Sequence, residues 1–262
     1  MFDTHCHLNL KEFNNEIDKV ISSANAVGVE RLVIPGTDII NSKRSVIIAE
    51  TYKGAYAAVG IHPTENLEGL DLSRVITLLE ELCTSKRVVA IGEIGLDYYR
   101  YKSATAIQKN FFAAQLDLAL KMDKAIIIHN RLAENDLLQI LKTKWLPGLN
   151  NSCVFHCCET SDELLDFAIK NRVFVGVDGD VTYDSKKQEF IKKVPLDLLL
   201  LETDSPLLLP EPLRSQKKEM NIKYNQPANL TIIATKVAEI KNIDIKEVVD
   251  ITDKNGKFLF NI

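Results

Sequence analysis

The stretch Ala125-Ile126-Ile127-Ile128-His129-Asn130-Arg131 runs from four apolar residues straight into an imidazole, an amide and a guanidinium. A continuous apolar run of that length suits a strand buried on both faces, as in a parallel sheet covered by helices. Polar residues at its carboxyl end suit the end at which parallel barrels assemble their sites. Working outward, seven further segments read as strands: Met1–His5, Arg31–Pro35, Ala55–Ile61, Val88–Glu93, Cys153–His156, Arg172–Val177 and Leu198–Thr203, with Ala125–His129 as the fifth in order. Helical patterns lie between them. Ile107, Phe111, Ala114 and Leu118 fall at helical spacing, as do Val75, Leu78, Leu79 and Leu82. Thr160 with Glu163 and Asp244 with Glu247 have the spacing of capping boxes, and Pro227 suits a first helical position.

Eight strands separated by helices predict an α/β chain folded as a single (β/α)8 barrel domain over residues 1–262. The competing class is an open, doubly wound sheet. No Gly-x-Gly-x-x-Gly or Gly-rich phosphate loop favours it, and no repeat or Pro/Gly-rich linker divides the chain. The formal net charge of −4 argues against coating nucleic acid by bulk electrostatics, though a local basic rim could still grip a polyanion. No apolar run approaches the roughly 18 residues that span a bilayer. The start MFDTHCHL lacks the basic and apolar regions of a signal peptide, which predicts a cytoplasmic protein with no membrane association. Five cysteines without a framework of spacings fit reduced thiols. In CVFHCC, strand alternation would turn Cys153 and Cys157 away from His156 and Cys158, which argues against a Cys-rich structural zinc site.

All five histidines fall at predicted strand ends. His5 and His7 close the first run, His62 the third, His129 the fifth and His156 the sixth, while Glu93 and Asp204 end the fourth and eighth. Any one of these is ordinary for a loop boundary or a helix cap. Together they place seven metal-capable groups in one structural position, and burying so much polarity is costly unless a metal or partner satisfies it.

DTHCHL, GIHP, AIGEIGLDYY, IIIHNR, FHCC and LLLETDSP occur in this order, with Gln108 and Gln115 before the fifth strand and NQPANL after the eighth. The series resembles the motifs of the TatD-type metal-dependent hydrolases, (β/α)8 barrels of the amidohydrolase superfamily generally described as deoxyribonucleases. The resemblance implies two divalent ions (Zn, Mn, Fe or Mg). His5 and His7 would bind one ion and Glu93 would bridge to the second. His129 and His156 would complete the shell of the second ion, while Asp204 would bind the first ion and touch the attacking water. His62 would face the substrate phosphate or leaving group. Three motifs depart from the family pattern: Cys158-Glu159-Thr160 replaces aromatic-Ser-Gly, Asp178 stands where Ser is usual, and Gln226 replaces the Glu of the turn. Glu159 and Asp178 are expected to make the pocket rim more acidic.

Paired ions lower the pKa of water and stabilise the attacking and leaving oxygens of a displacement. Asp204 is the expected general base and Glu93 the second catalytic carboxylate. Arg131 suits bidentate phosphate contact, and Glu202, one layer below Asp204, suits support of a ligand. Tyr98, with Tyr99, Arg100, Tyr101 and Lys102, offers a stacking and phosphate-binding loop, as do Arg214, Lys217, Lys218, Lys223 and Tyr224 further on. The leading function is metal-dependent hydrolysis of DNA, exonucleolytic on single strands or ends, without an obligate protein partner. The alternatives are D-aminoacyl-tRNA deacylation or another ester or amide hydrolysis at the same centre, and a non-catalytic metal-binding scaffold.

Overall fold

Each apolar run becomes a strand of one parallel sheet, ordered β1 to β8 in the computed structural model, which describes residues 1–100, 105–145 and 147–262. The strands are β1 (Phe2–Asp3), β2 (Arg31–Pro35), β3 (Ala55–Val59), β4 (Val88–Asp97), β5 (Ala125–Arg131), β6 (Cys153–Phe155), β7 (Phe174–Val177) and β8 (Leu199–Leu201). Helices α1 (Ile17–Ala26), α2 (Ile39–Thr51), α3 (Leu72–Leu82), α4 (Thr105–Met122), α5 (Glu134–Lys144), α6 (Asp162–Asn171) and α7 (Ser185–Lys193) make the crossovers. Two more, α8 (Leu230–Lys241) and α9 (Ile245–Phe260), follow β8. Between β8 and β1 the sheet closes through Thr4 N to Leu201 O at 3.1 Å, Asp204 N to His5 O at 2.9 Å and a bridge between Cys6 and Ser205. The result is the expected (β/α)8 barrel.

Strand alternation sorts the core into two layers. Phe2, Val33, Ala58, Ala90, Ile127, Val154, Phe174 and Leu200 meet inside the barrel, with Leu259 and Phe260 of α9 packed among them. That helix fits closely, since a Cβ on Gly256 would lie 2.6 Å from the Phe2 ring. The alternate residues, including Ile34, Ile126, Ile128, Phe155 and Leu199, pack outward against Leu79, Phe112 and Leu116 of the helices. With the interior filled by side chains, the carboxyl end of the sheet is the end left for a site.

Several boundaries differ from the sequence reading. β1 stops at Asp3, so His5 and His7 lie on the irregular backbone beyond it rather than on a strand face. β4 continues past Glu93 to Asp97, pairing Ile94, Gly95, Leu96 and Asp97 with β5. Gly95 makes this possible: its φ is +150°, and a Cβ there would lie 1.9 Å from His129 O. The N-cap of α6 is Ser161, which accepts from Leu164 N, rather than Thr160; Asp244 caps α9 as expected. Two glutamines of α4 then fasten the barrel's upper edge. Gln115 Oε1 accepts from Ile61 N at 2.7 Å, next to His62, and Gln108 Oε1 accepts from Asp97 N at 2.8 Å.

Candidate metal centre

The strand ends deliver their polar residues to the floor of one cavity of about 730 Å³, lined among others by His7, His62, Glu93, His129, His156 and Asp204. Three features of the chain aim them inward. Ile127 and Val154 face the barrel interior, so His129 and His156, two residues on, continue on that face. The pairing of β4 with β5 shifts register between Ile91 and Ile94, and Glu93 lies in that shift. The β8–β1 closure sets Asp204 beside His5.

Glu93 is the hub. Its Oε2 lies 3.4 Å from His5 Nε2 and 3.7 Å from His7 Nε2. Its Oε1 lies 2.8 Å from His129 Nδ1, 3.4 Å from His62 Nε2 and 3.8 Å from His156 Nε2. One carboxylate thus faces two sets of imidazoles through its two oxygens, the disposition a bridging ligand needs. Asp204 Oδ1 stands 3.4 Å from His7 Nε2 and 3.8 Å from both His5 and His156 Nε2. Donor atoms of His5, His7 and Asp204, of His5, Glu93 and His156, and of His62, Glu93 and His129 each converge within 4.8 Å.

The residues fit divalent cations. Nε2 of His5 and His7 approach to 3.1 Å, and the His5 and His156 rings stack at 3.4 Å, although imidazoles so close repel once protonated. Burial and the neighbouring His156 lower the His5 pKa to about 3, leaving it neutral and able to donate a lone pair to a metal. Burial alone would raise Glu93 and Asp204. The surrounding imidazoles outweigh it and hold Glu93 well below the carboxylate range and Asp204 below its ordinary value, so both are ionised.

Outer contacts bear on which nitrogen three of the imidazoles offer, while Nδ1 of His5 and of His7 has no hydrogen-bond partner. Glu202 Oε1 lies 3.0 Å from His156 Nδ1, though off the axis of a hydrogen bond, and leaves Nε2 toward the centre. The same oxygen accepts from Cys157 N at 2.6 Å, and its carboxylate occupies the space a side chain on Gly176 would fill. Burial would lower His156, but Glu202 and Glu93 raise it to about 10 in the absence of metal. Asp97 Oδ2 lies 3.3 Å from His129 Nε2, which turns Nδ1 toward Glu93. His62 differs. Its Nδ1 accepts from Thr64 N at 3.1 Å, so the neutral ring carries its proton on Nε2 and points a donor, not a lone pair, into the cavity.

Asp97 is a residue that sequence reasoning missed. The available signal was its place four residues after Glu93, an acid buried in a run of apolar strand. The basic rim is also redistributed. Tyr98 is not in the cavity: its hydroxyl donates to Asp136 at 2.6 Å and its ring packs on the outer core. The neighbouring Tyr99 is the exposed one, 59 % accessible, with the Arg131 guanidinium 3.9 Å above its ring. Arg131 and Arg100 both line the cavity; Tyr101 and Lys102 lie outside the described residues. The second basic loop faces elsewhere. Tyr224 hydrogen-bonds to Glu16, Arg214 covers the Tyr183 ring, and none of its cations lines the cavity.

The acidic departures separate too. Glu159 lines the cavity and accepts from Asn130 and Leu132 N. Asp178 is fully buried behind the wall, while Asp180 and Asp184 occupy the lining. Cys157 also corrects the alternation argument. β6 ends at Phe155 and Cys157 takes a φ of +43°, so His156 and Cys157 both reach the cavity.

A (β/α)8 barrel with a histidine–carboxylate centre at the carboxyl end of its strands defines a metal-dependent hydrolase type of site. The chain belongs to the TatD related DNase family, whose model matches residues 2–261. It is 36% identical over 264 residues to an uncharacterized metal-dependent hydrolase, YabD, of Bacillus subtilis, covering 100% of this chain and 99% of that one. It is 33% identical over 266 residues to the 3'-5' ssDNA/RNA exonuclease TatD of Erwinia tasmaniensis, covering both chains in full. Among solved structures, the TatD homologue YjjV of Escherichia coli superposes with a TM-score of 0.90 at 29% identity, over 100% of this chain and 98% of that one.

Proposed function

We propose that this protein is a divalent-metal-dependent deoxyribonuclease that hydrolyses phosphodiester bonds at single-stranded or frayed DNA ends. The observation that carries the reading is the set of donors converging on Glu93 beneath a rim bearing Arg100, Arg131 and Tyr99. A recessed floor admits a strand end more readily than the middle of a duplex.

His5, His7 and Asp204 would hold one ion; Glu93, His129 through Nδ1 and His156 through Nε2 would hold a second, with Glu93 common to both. So many imidazoles suit Zn²⁺, Mn²⁺ or Fe²⁺ better than Mg²⁺. Bound there, such cations lower the pKa of water and neutralise charge developing on phosphoryl oxygens. The ionised Asp204 accepts the proton of the attacking water at its carboxylate. His62 presents its Nε2 proton to a phosphate or leaving oxygen. Arg131 and Arg100 draw the phosphodiester to the floor, and the Tyr99 ring, already faced by Arg131, receives a base.

Glu159 at the rim supports a second reading, because a carboxylate there suits the α-ammonium of an aminoacyl ester. For the location, we infer the cytoplasm. All five cysteines are free, and no helix of the described residues is long and apolar enough to cross a membrane.

The test is end-labelled single-stranded DNA, labelled 3′ or 5′, with Mg²⁺, Mn²⁺ or Zn²⁺ and an Asp204→Asn control, run beside a D-aminoacyl-tRNA. Metal-dependent shortening that the control abolishes supports the nuclease and shows its polarity. Intact DNA with released amino acid overturns it in favour of the ester hydrolase.

A further inference from the structure

Beside the proposed dinuclear centre, the ends of β6 and β7 bring together a second donor set that the hydrolytic chemistry does not use. Cys157 Sγ and one carboxylate oxygen each of Asp178 and Asp180 lie within 4.8 Å of one another. The backbone builds this convergence deliberately: Cys157 is turned into the cavity by its positive φ, and Asp178 caps the short turn Gly179–Thr182 by accepting from Asp180 N at 2.9 Å. Asp178 is fully buried, yet its Oδ2 has no hydrogen-bond partner, and neither does the buried Oδ1 of Asp180. Buried carboxylate oxygens without a partner are costly unless a cation or a proton completes them.

Lys187 reaches Asp180 but does not complete the set. Its ammonium is 3.2 Å from Asp180 Oδ2 and donates to Cys158 O at 2.6 Å, leaving the other two oxygens untouched. We propose that Cys157, Asp178 and Asp180 form an additional site for a borderline-soft divalent cation of the Zn²⁺ class, separate from the ions held around Glu93. A thiolate with two carboxylates is a donor set for Zn²⁺ or Co²⁺ rather than for Mg²⁺ or Ca²⁺. Counting charges, one dication, one thiolate, two carboxylates and the Lys187 ammonium sum to zero, so a loaded site is electrically balanced. Burial and the adjacent Asp178 push the Asp180 carboxyl up to about 8, so without a cation this pair retains a proton. Loading releases that proton and the thiol proton to solvent. The cation also answers the acidity this chain adds to its cavity, where Asp180, Asp184 and Glu159 would otherwise repel a polyanion.

The experiment uses Co²⁺ as the probe on metal-stripped full-length protein. Among the donor groups of the described residues only this one supplies sulfur, so a thiolate-to-cobalt charge-transfer band in the near ultraviolet reports it apart from the histidine–carboxylate ions. The band is expected in the wild type and in Glu93→Ala. It should vanish in Cys157→Ser and weaken in Asp178→Asn, with one metal equivalent fewer per chain. Cys158→Ser should leave it unchanged. Thermal melts of each variant establish that it is folded. No band in the wild type, a band that survives Cys157→Ser, or one lost in Glu93→Ala each overturns the separate site; the last would make the thiolate a ligand of the dinuclear centre. Loss of DNase activity in all variants would not move this readout, so the two inferences fail independently.

Discussion

Two acids at the same end of the barrel, the buried Glu93 on β4 and the half-buried Asp180 after β7, meet opposite fates. Burial raises both. Around Glu93, His62, His156, His129 and His5 outweigh it, and the carboxyl falls well below its ordinary range. Around Asp180 the next neighbour is the Asp178 carboxylate, which adds to the burial; Lys187 offsets only part, and the group rises to about 8. The comparison teaches that depth does not set charge at this barrel mouth. What decides it is which side chains the other strand ends deliver. β1, β3, β5 and β6 each send an imidazole toward β4, whereas the neighbourhood of β7 receives a thiol and a second acid.

The largest expected effect comes from breaking the hub. Glu93→Ala removes the one group facing both imidazole sets, so activity should fall on the order of 10³-fold and metal content should drop with it. Full activity with both ions retained would end the bridging role. Asp204→Asn keeps shape but removes the proton acceptor, and a loss of about 10²–10⁴-fold in turnover is expected. A purely structural Asp204 would show instead as lost melting temperature with turnover per folded molecule unchanged.

Next in size is the outer layer. Glu202→Gln should weaken metal affinity about 10–100-fold, measured by competition with a chelator, because it unbalances the His156 ring that Glu202 faces. Affinity equal to the wild type would show that packing alone fixes the ring. This layer also marks where the sequence stopped being legible. Strand positions and the seven strand-end groups could be read because apolar runs and their polar ends are local patterns. Glu202 could be placed by counting back from Asp204 as if along a strand, although β8 stops at Leu201 and Asp204 takes a φ of +49°. Asp97 was hidden because β4 outruns its apolar run, and only the β5 pairing beside Gly95 shows that it continues. The Cys157 alternation failed where the strand stopped at Phe155 and a positive φ reversed the chain. Local periodicity cannot announce its own end.

The rim sharpens the same lesson with adjacent tyrosines. Tyr99 is exposed beneath Arg131, and Tyr98 is bound to Asp136. Tyr99→Ala should raise KM for oligonucleotides about fivefold while sparing a small phosphodiester such as bis-(p-nitrophenyl) phosphate. Tyr98→Phe should leave both substrates alone and cost a little stability through the lost hydrogen bond. Equal injury to both substrates by Tyr99→Ala would assign that ring a structural task.

The comparison's other half can be tested directly. In metal-stripped protein, Asp180 titrates near 8 when folded against an ordinary value of 3.8. The folded state therefore binds this proton more tightly than the unfolded chain. Its contribution to stability is complete below about pH 4 and is lost as pH rises through the folded value. Asp180→Asn cannot titrate. The melting temperature of the wild type should accordingly fall relative to the variant as pH rises, with the gap widening up to about pH 8 and then levelling. Side-by-side melts in chelator across that range measure it. A gap that does not change with pH would mean that Asp180 is ionised throughout, and that Lys187 does for it what the imidazoles do for Glu93.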